Sequence, residues 1–339
     1  MSSLSLREVE AGDKDGLWRA YTKWPGSIRR SMAQKLELPE GRAVSSVVLA
    51  GMGGSGSACD ILADWVRPKT RVPVSVAKDY QIPGFAGRDT LVLLVSLGGR
   101  TKETRSALRQ AVGLGCSAVT ISSGGLIEDL SMELGVPFNR VENLLVPRAS
   151  TPGMVIVGAR ILAGLDLIGG TPDFGHADEE VQGALTQSDP SVPFSRNLSK
   201  RLAREFQGKR VVVYSPQATS SVAVHFKNSM NENAKVPVQV ETYPDLFHNE
   251  IETWVTGGNR TIVLLRMSEM EEKTKAELAT LRKLFRKFNV KVTELQGKRV
   301  ELGTLLAWSL TLDLASVYFA VLKGRAPAPT PILSSMKKD

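Results

Sequence analysis

Short aliphatic runs separated by stretches of helical periodicity constrain this chain more than any other feature, because the alternation runs through twice. From Val47 the order is SVVLAG, a glycine loop, SACDILADWV, VPVSVA, TLVLLVS, a helical stretch from Lys102 to Leu114, SAVTIS and NLLVP. After an amphipathic stretch from Asn197 to Phe206 it restarts with RVVVYS, the helical SSVAVHFKNSMNENA, VPVQVET, TIVLLRM, a charged helix from Glu271 to Phe288, VKVTEL and a long helix from Leu302 to Leu322. Runs this short, rich in β-branched residues and bounded by helices, read as strands of a parallel sheet covered on both faces. The expected fold class is α/β, as two doubly wound parallel-sheet domains of the flavodoxin-like kind in tandem. Two consecutive windings with one layer order suggest a duplication.

The boundaries follow from composition. The first domain is placed at 1–168 and closed by a helix from Thr151 to Ile168, opened by Thr-Pro. Residues 169–193, polar and rich in Gly, Pro and acidic groups, read as a linker with at most one short helix. The second domain occupies 194–323. The tail at 324–339 is helix-free through its prolines and carries Ile332, Leu333 and Met336 with which to dock.

Several function classes drop out. Of the 339 residues 42% are hydrophobic and 23% charged, so a buried core is expected rather than disorder. The two cysteines, Cys59 and Cys116, lie in apolar segments, and with three histidines the chain assembles no Cys/His metal cage. The opening residues mix both charge signs without an apolar stretch, which is not a signal peptide. No window holds eighteen uninterrupted apolar residues, so no membrane span and a cytoplasmic location are expected. A net charge of +8 favours anionic ligands. The basic residues, such as Arg29, Arg30, Lys200 and Arg201, are scattered without an aromatic RNA-binding signature, so small phosphates outrank nucleic acid.

Two loops carry the binding signal. GMGGSGS, Gly51 to Ser57, follows the first strand and opens a helix, where backbone N–H groups can receive a phosphate. It satisfies the dinucleotide pattern G-x-G-x-x-G, but Asp79, near the place of the ribose-binding acid, stands in the loop-like KDYQIPG. After the third strand, SLGGRTKET (Ser96 to Thr104) again delivers hydroxyls, glycines and a helix N-terminus. Ser55, Ser96, Thr101 and backbone amides can grip one phosphate, whereas a dinucleotide needs only the first loop. A sugar phosphate therefore outranks a nicotinamide cofactor.

These residues resemble the sugar isomerase (SIS) domain family and, within it, the archaeal-type bifunctional phosphoglucose/phosphomannose isomerases. The resemblance spans nearly the whole chain. GMGGSG matches the family's first motif, and SLGGRTKET resembles S-x-S-G-N-T-x-E-T, with Gly98 in place of a serine and Arg100 in place of an asparagine. Pro147-Arg148, Glu232-Asn233-Ala234-Lys235, the segment from Pro244 to Glu250, and Pro329-Thr330-Pro331 with Lys337 match four further motifs in order. The resemblance implies metal-independent, cofactor-free interconversion of glucose 6-phosphate or mannose 6-phosphate with fructose 6-phosphate through a cis-enediol. In it Glu232 is the base for C1/C2 proton transfer, His248 opens the ring, Lys337 assists at the ring oxygen, and Arg148 stabilises the enediolate. Gly53, Gly54, Ser55, Ser96, Arg100 and Thr101 bind the substrate and its phosphate. Thr330 is associated with acceptance of both C2 epimers. The resemblance also implies a homodimer in which His248 comes from the neighbouring subunit. His176 and His225 are assigned structural roles. Two other readings stand beside it, a non-catalytic sugar-phosphate-binding SIS regulator, motivated by Gly98 and Arg100, and a dinucleotide-dependent oxidoreductase resting on the first loop alone.

Overall fold

The computed structural model describes residues 3–336 apart from 42 and 171. Helices α1 (Leu6–Gly12), α2 (Leu17–Thr22) and α3 (Trp24–Ala33) come first. The first winding is β1 (Ser46–Gly51), α4 (Gly53–Val66), β2 (Val74–Ala77), β3 (Thr90–Val95), α5 (Lys102–Gly113), β4 (Ser117–Ser122), α6 (Leu126–Glu133), β5 (Phe138–Arg140) and α7 (Thr151–Gly164). Then come α8 (Phe174–Ser188) and α9 (Leu198–Glu205). The second winding is β6 (Arg210–Pro216), α10 (Ser220–Ser229), β7 (Gln239–Tyr243), β8 (Arg260–Met267), α11 (Glu272–Lys287), β9 (Lys291–Gly297) and α12 (Leu302–Leu322), with α13 (Pro331–Met336) last.

Both sheets are parallel throughout, ordered β2-β1-β3-β4-β5 and β7-β6-β8-β9. The expected repeat is thus present, the second winding lacking one edge strand. In each sheet the first strand has the second on one side and the third on the other, so successive crossovers leave in opposite directions. Loops part at that switch point and open a crevice at the strands' carboxyl ends. In the first sheet the two flanking loops are GMGGSG, after β1, and SLGGRT, after β3.

By spatial proximity the chain separates into Lys23–Glu179 and a unit joining the segment through Thr22 to everything from Glu180 onward. This division differs from the boundaries drawn on sequence. Val9, Leu17 and Tyr21 are wholly buried, α1 and α2 pack on α12, and a Cβ on Gly12 would lie 2.8 Å from Val321 Cγ1. The division falls inside α8, a 15-residue helix in what reads on sequence as linker. Asp173 accepts the His176 N–H at 2.9 Å, starting it, and Ala177 and Val181 supply an i, i+4 buried stripe that the surrounding acidic residues mask.

Three other expectations are corrected. NLLVP is not a strand, because Leu145 has φ 79, and the last strand is instead Phe138–Arg140. Helix α7 stops at Gly164 rather than reaching Ile168, since Asp166 turns left-handed at φ 54. The tail is not docked by its apolar residues, as Ile332 and Met336 are 75% and 71% exposed. Helix α12 has the length and apolar composition to cross a membrane, and 83% of its most apolar window is buried inside the unit.

The two faces of the second sheet are covered by different elements. One is packed by α9, α10 and α12, where Phe206 lies on Phe226 and Phe319. The other carries residues 245–256 and α11, with Leu246, Trp254, Leu278, Leu281 and Phe285 around Tyr214.

Candidate active site

In the unit Lys23–Glu179 the candidate residues gather at the carboxyl ends of β1 and β3. Gly53 and Gly54 begin α4, where first-turn N–H groups have no helical acceptor. Gly53 is left-handed at φ 56 and open on its Cβ side. Gly54 has no such room, because a Cβ would lie 2.6 Å from the Arg148 amide nitrogen. That contact seats the turn Pro147–Ser150, already pinned by Trp24 Nε1 donating to the Ala149 carbonyl at 2.7 Å and by Ser150 Oγ accepting the Leu144 N–H at 2.8 Å. Arg148 is buried on this turn.

Ser55 is buried, and its hydroxyl accepts the Leu97 N–H at 3.0 Å while donating to Met154 Sδ at 3.6 Å. It joins the two loops, which leaves its backbone N–H as the group it offers at the helix start. Ser96 Oγ donates to Thr101 Oγ1 at 3.2 Å, and Thr101 caps α5 with its own side chain off the backbone. The Leu97 carbonyl receives Ser122 Oγ at 3.0 Å and Ser123 Oγ at 2.7 Å, fixing the loop from the side of β4. Arg100 is exposed and forms no ion pair among the described residues, and Gly98 is open, with nothing within 4 Å of an added Cβ. Asp79 Oδ1 accepts the Tyr80 N–H at 2.6 Å and so serves its own turn.

The remaining candidates belong to the other unit. Glu232 is half-buried on a π-helical turn, Met230–Ala234, that continues α10 and is closed by Lys235 at φ 57. Such turns are a recurrent feature of functional sites. Buried Asn233 donates from Nδ2 to Ser316 Oγ at 2.7 Å, and Ser316 Oγ donates to the Asp313 carbonyl at 2.6 Å. The Asp313 carboxylate is paired with His225 Nε2 at 2.8 Å and receives Ser229 Oγ at 2.6 Å, so His225 is a buried structural histidine beneath this turn. Lys235 Nζ reaches the carbonyls of Glu232, Asn233, Ala326 and Pro329. Thr330 is half-buried just beyond them, its carbonyl accepting the Ser334 N–H at 2.9 Å.

His248 is exposed at the end of the turn Asp245–His248. Behind it Glu250 is buried and accepts Tyr214 OH at 2.7 Å, Thr253 Oγ1 at 3.1 Å and Arg260 Nη1 at 3.4 Å. Burial, and then the Glu250 carboxylate, push the Tyr214 hydroxyl far above its ordinary range, so it remains a donor to Glu250. The structure does not bring His248 to Glu232 within one chain, since the segment holding His248 packs on the face with α11 and the Glu232 turn on the face with α12. Lys337 lies outside the described residues. Among the described residues no three His, Cys, Asp or Glu side chains group as a metal site.

Sequence reasoning gave no role to Leu97, Met154, Lys235 or Glu250. A usable signal existed for Lys235 alone. The prolines of APAPTP lack N–H groups, so that stretch can be held mainly through its carbonyls, and Lys is a donor without an acceptor.

Residues 195–339 match the family model described as the bacterial phospho-glucose isomerase C-terminal SIS domain. A bifunctional phosphoglucose/phosphomannose isomerase of Aquifex aeolicus is 30% identical over 86% of this chain and 89% of its own length. One from Caldicellulosiruptor bescii is 27% identical over 87% and 89%. The C-terminal domain of glucosamine-fructose-6-phosphate aminotransferase from Francisella tularensis superposes with a TM-score of 0.72, covering 92% of this chain and 98% of its own at 15% identity, a likeness of fold. With two tandem parallel windings, the paired glycine loops after β1 and β3 and an Aquifex relative 30% identical along most of both chains, this protein belongs to the bifunctional phosphoglucose/phosphomannose isomerase family of SIS-domain proteins.

Proposed function

We propose that this protein is a metal-independent isomerase that interconverts glucose 6-phosphate or mannose 6-phosphate with fructose 6-phosphate, acting in the cytoplasm as a homodimer. The substrate phosphate rests on the first-turn N–H groups of α4 and α5 and on Ser96 and Thr101. In the open-chain aldose, Glu232 takes the proton from C2, the electron pair forms the C1–C2 double bond, and the C1 carbonyl becomes an enediolate oxygen. Return of the proton to C1 on the same face, with the O2 proton passing to O1 so that C2 becomes the carbonyl and O1 a hydroxyl, completes the ketose. Arg148 stabilises the charge that develops on oxygen. His248 and Lys337 act at ring opening.

The observation that carries the reading is the Glu232 turn, a half-buried carboxylate whose backbone is held by the buried bond from Asn233 to Ser316. A solvated surface glutamate has no such fixture. The placement of the His248 segment on the opposite sheet face supports drawing His248 from a second copy of the chain. Exposed Arg100 and open Gly98 favour a second reading, a binding protein without turnover. A coupled assay for glucose 6-phosphate formed from fructose 6-phosphate, with EDTA present, separates the two. Turnover of fructose 6-phosphate and of mannose 6-phosphate is the expected result. Binding without product would establish the regulator, and loss on chelation with recovery on added zinc would remove the metal-free mechanism.

A further inference from the structure

The stretch from Gly324 to Thr330 leads out of α12 and is buried at Pro327. Its sequence GRAPAPT carries two prolines, which donate nothing, and the helix after it leaves Ile332 and Met336 exposed. Its carbonyls are groups on offer, and one side chain takes two of them. Lys235 Nζ lies 3.1 Å from the Ala326 carbonyl oxygen and 2.9 Å from that of Pro329, residues 91 and 94 positions away. The same ammonium lies 2.7 Å from the Glu232 carbonyl and 3.3 Å from that of Asn233. An ammonium has three N–H donors and a backbone carbonyl only acceptor capacity, so the carbonyls of Glu232, Pro329 and Ala326 at 2.7, 2.9 and 3.1 Å can each take one N–H and that of Asn233 at 3.3 Å shares one. Lys235 also stands at φ 57, a conformation that costs a residue with a Cβ, and that conformation turns its side chain back over the turn it closes.

We propose that Lys235 is a positioning residue, a clamp that docks residues 326–329, and Thr330 with them, onto the turn carrying Glu232. The inference rests on the isomerase reading for its kinetic consequence and not for the clamp itself. Lys235→Met removes the ammonium and keeps the stem. Lys235→Cys does the same and permits repair, because treatment with bromoethylamine rebuilds an ammonium of nearly lysine length on the introduced thiol, while Cys59 and Cys116 are buried. Two quantities are read on the full chain. The first, without substrate, is the rate at which trypsin cuts between Arg325 and Ala326, together with the mass of the released tail so that cuts elsewhere do not count. The second is kcat and KM for fructose 6-phosphate.

Both variants should be cut at that bond about ten times faster than the wild type and should lose about tenfold to a hundredfold in kcat, the scale of a small misplacement of reacting groups. Aminoethylation of Lys235→Cys should restore both quantities, which loss of fold elsewhere would not allow. Wild-type cutting and wild-type kcat in Lys235→Met, or aminoethylation that restores neither, would overturn the clamp. A wild type inactive on sugar phosphates would overturn the isomerase reading, while the proteolysis would still decide the clamp.

Discussion

The loops after β1 and β3 and the segments carrying Glu232 and His248 belong to the same kind of winding, yet they are fixed by different means. The first are strand-to-helix junctions in which backbone packs on backbone, as where Gly54 meets the Arg148 amide, with the hydroxyls of Ser55, Ser122 and Ser123 tying the loops together. The second are a π-helical turn, a short 3-10 turn and a proline-rich tail, each held by side chains: Asn233 on Ser316, Glu250 on Tyr214, and Lys235 on four carbonyls. Where backbone packs on backbone, as at Gly54, there is no room for an added atom, whereas Gly53 and Gly98 in the same loops are open. Side-chain anchoring tolerates added bulk but depends on single polar atoms. Substitutions that add a carbon should therefore do most harm in the first region, and substitutions that remove a polar group should do most harm in the second.

The largest expected effect is chemical. Glu232→Gln keeps size and hydrogen bonding but removes the base, and should lower kcat by at least about a hundredfold with inhibitor binding retained. Near-normal turnover would place the proton transfer elsewhere. Gly54→Ala comes next, since its methyl must displace the Pro147–Ser150 turn; a loss of about 1–3 kcal/mol in urea unfolding, with a raised KM, is the expected cost of overpacking. An unchanged unfolding midpoint would show that the turn yields freely. Asn233→Ala removes the buried donor that Ser316 Oγ accepts and should cost about 1–2 kcal/mol with a fall in kcat rather than a rise in KM. A rise in KM alone would detach this bond from Glu232.

The smallest effects sharpen the comparison at the phosphate loop. Arg100 is exposed, and if it turns onto bound phosphate then Arg100→Ala should raise KM about tenfold, near 1.4 kcal/mol. Gly98→Ser meets nothing within 4 Å and should leave KM unchanged or slightly lower, and it should recover part of the loss when combined with Arg100→Ala. No change in any of the three would leave Arg100 in solvent.

The strands β1, β3, β4, β6 and β8 were legible because burial on both faces leaves a largely apolar run, and with the less buried β2, β7 and β9 eight of the nine fall on runs read from the sequence. The ninth, Phe138–Arg140, is a three-residue edge strand, too short to show a pattern. Helix α8 hid behind its acidic residues, its buried stripe resting on Ala177 and Val181. At the site, the loops were visible because glycine is restricted to few backbone roles. What Ser55 does was not, because a hydroxyl accepts an N–H as readily as it meets a phosphate, and only the fold shows the Leu97 N–H at 3.0 Å. The separation of His248 from Glu232 by a sheet depends on the hand of two crossovers, which no local pattern encodes.

The most direct test of the proton-transfer role of Glu232 tracks hydrogen at C2. Glucose 6-phosphate incubated with the wild type in D2O through many turnovers should gain deuterium at C2, as transfer through a carboxylate that exchanges with solvent requires, and Glu232→Gln should abolish both the exchange and the ketose. Exchange at C2 or ketose formation that persists in Glu232→Gln would contradict that role.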